Sequence, residues 1–250
     1  MRQILRFCRC WLAVAALLGA GLGVGLGGAL AQNWPISESA RQDWQAVGRV
    51  TIEGNTRSLC TGTLIAPDTV VTAAHCVTNG ETGQPLPFYK LNFVAGWHDG
   101  EHAGGAVASF IRVHADYADT PGVARPKLAK FAADLAVVTL KTPLLGVRPM
   151  PVADSSAPTG VVAVLGYQRE RREVLTDYIG CQGAAIDPDF LGLSCAVVSG
   201  TSGGPVFEKT VEGWALVGVV VANTGRSNGP VQGLAVRVDR DRLAPLLPGS

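Results

Sequence analysis

The apolar residues of this chain come in short, β-branched runs cut by glycine and proline, and that punctuation limits what the chain can fold into. Runs such as "AVGRVTI" (46–52), "TVVTAA" (69–74), "VVAVLGY" (161–167) and "ALVGVVVA" (215–222) have the length of strands and are too short for amphipathic helices. Val, Ile and Thr lose side-chain freedom in a helix but pack well on a pleated sheet. With 31 glycines and 15 prolines among 250 residues, long helices find little uninterrupted sequence. An all-β fold is expected.

The first 31 residues stand apart. "MRQILRFCRC" carries Arg2, Arg6 and Arg9 without an acid, "WLAVAALLGAGLGVGLGG" is apolar, and Ala29, Leu30 and Ala31 supply small residues where a signal peptidase reads them. Residues 1–31 therefore read as a secretory signal cleaved after Ala31, with an uncleaved N-terminal anchor as the alternative. Gly23, Gly25 and Gly28 match G-x-G-x-x-G only by spacing, since no strand precedes them in a βαβ unit. Export places the protein outside the cytoplasm, secreted or periplasmic, and off the membrane once the signal is removed. Cleavage removes three arginines and no acid, taking the formal net charge from +1 to −2 and leaving 219 residues. That balance offers no basic surface for nucleic acid. The length suits one domain or two small ones, and a monomer is expected.

Cys8 and Cys10 leave with the signal, and Cys60, Cys76, Cys181 and Cys195 remain. An even number in an exported chain reads as two disulfides, for which four cysteines allow three pairings. Pairing neighbours in sequence gives Cys60–Cys76 and Cys181–Cys195, each closing a short loop. The spacings contain no C-x-x-C pair, so a zinc site is not indicated.

Three segments carry candidate chemistry. "SGTSGGPVF" (199–207) sets Ser202 among glycines, which suits an exposed nucleophile approached closely by another molecule, or simply a tight hairpin turn. "TGTLIAPDTVVTAAHC" (61–76) runs strand-like residues into His75, next to a cysteine whose crosslink would hold the imidazole's backbone. "FAADLAVVTL" (131–140) puts Asp134 at the head of an apolar run, where its carboxylate is expected to be buried. A buried carboxylate needs a partner, and histidine is a suitable one; a strand-start Asp bonding a turn is the alternative.

With "VVTAAHC", "DLAVVTL" and "GTSGGPV" in the order His75, Asp134, Ser202, the chain resembles the trypsin-like (chymotrypsin-fold) serine proteases in their bacterial secreted branch. The resemblance runs from about Gln45 to Leu243 and extends to "LVGVVVAN" and "GLAVRV". It implies two six-stranded antiparallel Greek-key β-barrels with the active site in the cleft between them. Residues 32–44 would form an N-terminal strap, 45–145 the first barrel with His75 and Asp134, and 146–250 the second with Ser202, joined through the Pro- and Gly-rich "KTPLLGVRPMPVADSSAPTG" (141–160). It further implies Ser202 as nucleophile, His75 as base and acid, Asp134 as the group orienting His75, and an oxyanion hole from the N–H groups of Gly200 and Ser202. Gly203 and Gly204 would leave room for the turn and for His75.

The chain departs from the family at Thr201, where animal digestive members have an Asp that pairs with a newly released N-terminus. Its oxyanion loop must be ordered differently, through a Thr201 hydroxyl bond to nearby backbone and the Cys181–Cys195 bridge. The specificity pocket implied by the resemblance has Ala196 at its floor, then Val197, with Val221, Ala222, Asn223 and Gly233 as walls. No charge lies there to receive Arg, Lys or Glu, so a small or medium apolar residue before the cleaved bond is expected, with Asn223 shortening the pocket. The substrate would be a protein or peptide, and no cofactor is implied. A protease homologue serving as a binding module, or a protease restricted to one partner protein, is the alternative. "WHDGEHAGG" (97–105) matches a loop that binds calcium in some relatives, but its histidines favour a solvated hairpin tip over a metal site. "RERRE" (169–173) reads as a solvated loop.

Overall fold

The computed structural model describes residues 32–117, 127–155, 158–225 and 229–249; the apolar leader with Cys8 and Cys10 lies outside them. The segments 46–52, 69–74, 161–167 and 215–222 all fall on or across strands. In chain order these are β1 (Gln32–Pro35), β2 (Val47–Ile52), β3 (Asn55–Ala66), β4 (Thr69–Thr72), β5 (Leu91–Ala95), β6 (Gly104–Val113), β7 (Ala136–Leu140), β8 (Thr159–Val161), β9 (Ala163–Gln168), β10 (Arg171–Ile179), β11 (Gln182–Ala185), β12 (Phe190–Leu193), β13 (Pro205–Thr210), β14 (Gly213–Asn223) and β15 (Gly233–Arg237). The α-helices among the described residues are two short pieces, α1 (Lys127–Ala132) and α2 (Arg240–Leu243). None is long and apolar enough to cross a membrane.

Strands β2 to β7 form a closed antiparallel barrel in the order β2-β3-β4-β7-β6-β5. Alternation is clear on β5, where Leu91, Phe93 and Ala95 are buried and Asn92 and Val94 are partly exposed. The "TVVT" of β4 is buried at every position. Its C-terminal end abuts the other half of the molecule, with Thr72 and Ala73 against Gly203.

The second sheet has the order β1-β10-β9-β13-β14-β15-β12-β11-β8. Only Val162 separates β8 from β9, and its N–H bonds the Cys181 carbonyl at 3.0 Å. Only Gly180 and Cys181 separate β10 from β11. Each pair is thus one strand interrupted by a bend, and the order from β9 round to β8 returns to the strand it left. The sheet curls into a second six-stranded barrel, and the architecture is the two-barrel fold expected.

One element differs from the sequence reading. Residues 171–173 of "RERRE" open strand β10, and Glu173 is only half exposed because its carboxylate accepts from Trp97 Nε1 at 2.8 Å and from Arg49 at 3.5 Å, a polar link between the barrels. Arg49 in turn lies over the Trp97 ring, 4.7 Å from its centroid. A charge run read by composition alone looks solvated; its partners come from the other barrel. In the N-terminal segment, β1 pairs with β10 and extends the sheet. Trp44 anchors it, stacked on Phe207 at 5.3 Å and near Trp214 at 5.7 Å, while Trp34 stays largely exposed.

One apolar cluster runs through both barrels, from Leu64, Val71 and Phe93 to Leu165, Phe207 and Val236, and a smaller one fills the far part of the second. Each such side chain removed from water is worth about 1.5–3 kcal/mol. The barrels are therefore packed on each other through a shared core.

Candidate active site

His75 sits in a single 3-10 turn, Ala74–Cys76, immediately after β4. The Cys60–Cys76 disulfide fastens that turn to β3. Strand β4 pairs antiparallel with β7 in a register that sets Thr72 opposite Ala136. Continuing that register two residues sets position 74 opposite position 134, so the sheet itself delivers Asp134 to the histidine turn. From the second barrel, Arg242 reaches across to bond the Ala132 carbonyl at 3.1 Å while paired with Asp189, steadying the segment just before Asp134.

Asp134 is 2% exposed. Its carboxylate accepts twice from one residue: Oδ1 from the His75 backbone N–H at 2.8 Å, and Oδ2 from the ring Nδ1 at 2.7 Å. A carboxylate only accepts, so Nδ1 carries the ring proton and Nε2 is left as the acceptor. Burial alone would lower the proton affinity of the imidazole; the hydrogen bond and charge of Asp134 outweigh it, and the His75 pKa lies above its ordinary value.

Ser202 lies in the loop between Cys195, bridged to Cys181, and β13. Gly200 has φ +100° and Gly203 φ +78°. A side chain at Gly200 would run into the backbone of Tyr167 and Arg169, and one at Gly203 into the Thr61 carbonyl and the Thr72 hydroxyl. The space Gly203 vacates is thus occupied by the strands leading to His75, not by the imidazole. Thr61 fixes the loop from the first barrel: its hydroxyl donates to the Gly200 carbonyl at 2.9 Å and accepts from the Tyr167 N–H at 2.9 Å, and its N–H donates to the Ser202 carbonyl at 2.8 Å. The Arg169 N–H holds the Ser199 carbonyl at 2.8 Å. With these carbonyls engaged, the N–H groups of Gly200 and Ser202 bond to no described residue. His75 and Ser202 line one cleft without a hydrogen bond between them, a looseness common in such sites before substrate binds.

Thr201 is fully buried, and its hydroxyl meets the side chain of Tyr178 at 2.7 Å rather than the backbone partner expected from the sequence. Sequence reasoning had no means of finding Thr61 or Tyr178, since nothing in "CTGTL" or "TDYIG" distinguishes them from other strand residues.

Beside Ser202 opens a pocket of about 450 Å³ whose walls include Val197, Ser199, Val220, Val221, Ala222 and Asn223. Ala196 and Gly233 are not part of that lining; Gly233 packs behind Val197 and Cys195. The Asn223 amide donates to the Val197 carbonyl at 2.6 Å and its carbonyl accepts from the Gly225 N–H at 2.7 Å, so the side chain ties the two walls together at the rim. Val198 and Ser199, which also line the pocket, were not singled out from the sequence. In "WHDGEHAGG", His98 and Glu101 pair across a tight turn. The one group of three metal-ligand side chains among the described residues is Cys60, His75 and Cys76, whose sulfurs are joined to each other.

A family model described as a trypsin-like peptidase domain matches residues 60–219. Among solved structures, the chain is similar to a Glu endopeptidase in complex with MPD, at 21% identity and a TM-score of 0.68, over 86% of this chain and 94% of that one. It is also similar to a thermostable serine protease from an extremophilic microorganism, at 20% identity and a TM-score of 0.60, over 78% and 91% of the two chains. No curated protein matches the chain.

Proposed function

Because the chain belongs to the trypsin-like peptidase family and is a serine endopeptidase, we propose that it cleaves protein or peptide substrates outside the cytoplasm by a Ser202–His75–Asp134 acyl-enzyme mechanism. The observation that carries the reading is the double hold of buried Asp134 on His75, which leaves Nε2 free to accept a proton in a cleft shared with Ser202. In the first step Ser202 Oγ bonds to the scissile carbonyl carbon as its proton passes to His75 Nε2. The carbonyl oxygen becomes an oxyanion that accepts from the Gly200 and Ser202 N–H groups. His75 then gives the proton to the leaving amine as the C–N bond breaks, and water repeats the sequence on the acyl-enzyme. Two disulfides and an apolar leader support an exported location. The reading as a binding module has no support in the site, where every triad member is present.

The raised His75 pKa gives a sign for pH dependence. Hydrolysis needs neutral imidazole, so kcat/KM is expected to fall as the pH drops through that pKa, with a midpoint above about 6.5. A pH profile with its acid limb centred near pH 5 would contradict the Asp134–His75 pairing.

We assign the pocket beside Ser202 to the residue preceding the cleaved bond. Its lining contains no Lys, Arg, His, Asp or Glu, so a buried ionic side chain there would stay unpaired at a cost of several kcal/mol. An apolar one gains about 1.5–3 kcal/mol. Cleavage of a peptide library is expected to select Ala, Val or Leu at this position, and Asn223→Gly, which removes the tie at the rim, to admit larger residues. Strong selection for Arg, Lys or Glu would show that the pocket is misassigned.

A further inference from the structure

We propose that the Tyr178 hydroxyl is the buried pin that holds the oxyanion loop in its working shape, making Tyr178 a positioning residue for hydrolysis. The inference rests on the reading of Ser202 as nucleophile and of the Gly200 and Ser202 N–H groups as oxyanion donors. Tyr178 lies on β10 and is 1% exposed. Its oxygen gathers three contacts: the Val198 N–H at 3.2 Å, the Gln168 side-chain amide at 3.3 Å and the Thr201 hydroxyl at 2.7 Å.

The valence of the phenol fixes the direction of each bond. It has two lone pairs and one proton. The Val198 N–H and the Gln168 Nε2 group only donate, so they take the lone pairs, and the phenol proton goes to Thr201 Oγ1. One atom thereby grips the loop at both ends of residues 198–201, by backbone at Val198 and by side chain at Thr201. The Thr201 N–H closes the same turn onto the Val198 carbonyl at 3.1 Å. The peptide between Ser199 and Gly200, whose N–H is the first oxyanion donor, sits inside this grip. Arg169 sets how that peptide is rotated, through the Ser199 carbonyl, and Thr61 holds the next peptide through the Gly200 carbonyl; Tyr178 sets where they are.

The arrangement is neutral. Burial raises the Tyr178 pKa above its ordinary value, so the hydroxyl keeps the proton it donates. An ion pair would titrate; this pin does not do so near neutral pH. Replacing Tyr178 by Phe keeps the ring and its packing while leaving the Val198 N–H, the buried Gln168 amide and the buried Thr201 Oγ1 without their partner, and the loop can recover them only by moving.

The test is steady-state hydrolysis of a peptide substrate by Tyr178→Phe, Thr201→Val and Thr201→Ser, with melting curves and the His75 acid limb recorded for each. Tyr178→Phe and Thr201→Val are expected to lower kcat about 10–100-fold with KM within about threefold, since outright loss of an oxyanion donor costs about 10²–10³-fold. The acid-limb midpoint should not move, because Asp134 and His75 are untouched. Thr201→Ser, which keeps the acceptor oxygen, should stay within about threefold of wild type. The double variant Tyr178→Phe, Thr201→Val should be no slower than the slower single one, as expected when both act through one bond. A Tyr178→Phe enzyme with kcat within threefold of wild type, whatever its melting temperature, overturns the proposal. Should that variant fail to fold, equal kcat for Thr201→Val and Thr201→Ser overturns it instead. These results are separable from failure of the underlying reading, which Ser202→Ala reports: continued hydrolysis by that variant refutes the site, whereas normal Ser202 chemistry with an indifferent Tyr178 refutes only the pin.

Discussion

Ser202→Ala is expected to fold normally and to lose at least about 10³-fold in kcat/KM. Folding should survive because the loop is held by backbone and by neighbours: the Ser202 carbonyl by the Thr61 N–H, Gly203 N–H by the Val220 carbonyl at 2.8 Å, and Thr201 by Tyr178. The Ser202 hydroxyl itself bonds no described residue, so its removal breaks no structural bond and leaves a void of one oxygen at a partly exposed position. What disappears is the atom that would bond to the substrate carbon. Substrate binding and the oxyanion donors remain, which sets the residual rate above that of water. Peptide hydrolysis measured beside a thermal melt checks both halves; activity within tenfold of wild type would assign the chemistry to another residue.

Asp134→Asn is expected to cost about 10⁴-fold in kcat, close to the loss seen for the same change in other enzymes with this constellation. The carboxylate satisfies two donors of His75, the backbone N–H and Nδ1–H. An amide offers one acceptor oxygen and one NH₂. If the oxygen stays on the backbone N–H, the NH₂ faces Nδ1 and forces the ring proton to Nε2, which can then no longer accept from Ser202. If the oxygen turns to the ring, the NH₂ meets the backbone N–H and a buried donor is left unsatisfied, at about 1–3 kcal/mol of stability. Either way the charge that stabilises the imidazolium is gone. A loss smaller than tenfold would mean that His75 is not the base.

How much of this could be read from residues alone depended on whether a role is local. Strands β4, β9 and β14 were legible because unbroken β-branched runs have few other uses in a chain so rich in glycine and proline. His75, Asp134 and Ser202 were legible because their residue types are chemically restricted and their flanking motifs are local. Thr61 and Tyr178 were not. Thr61 acts on Gly200, 139 positions away, and Tyr178 on Thr201, 23 positions away, and a buried hydroxyl declares its partner only once the barrels are assembled. The same limit explains Glu173, whose partners Trp97 and Arg49 belong to the other barrel. At the pocket, Val197, Val221, Ala222 and Asn223 were named and do line the wall, while Ala196 and Gly233 were named and do not, because the loop after Cys195 turns Val198 and Ser199 toward the cavity. The curl of the second sheet through the bends at Val162 and at Gly180–Cys181 likewise has no signature stronger than a glycine and a disulfide.

Activation of Ser202 as a nucleophile by His75 is tested by treating the wild-type protein with a fluorophosphonate probe and locating the adduct by peptide mass spectrometry. A single adduct on Ser202 is expected, formed at least about 10³-fold more slowly in folded His75→Ala and absent from Ser202→Ala. An adduct on another residue, or a Ser202 that reacts equally fast without His75, would contradict it.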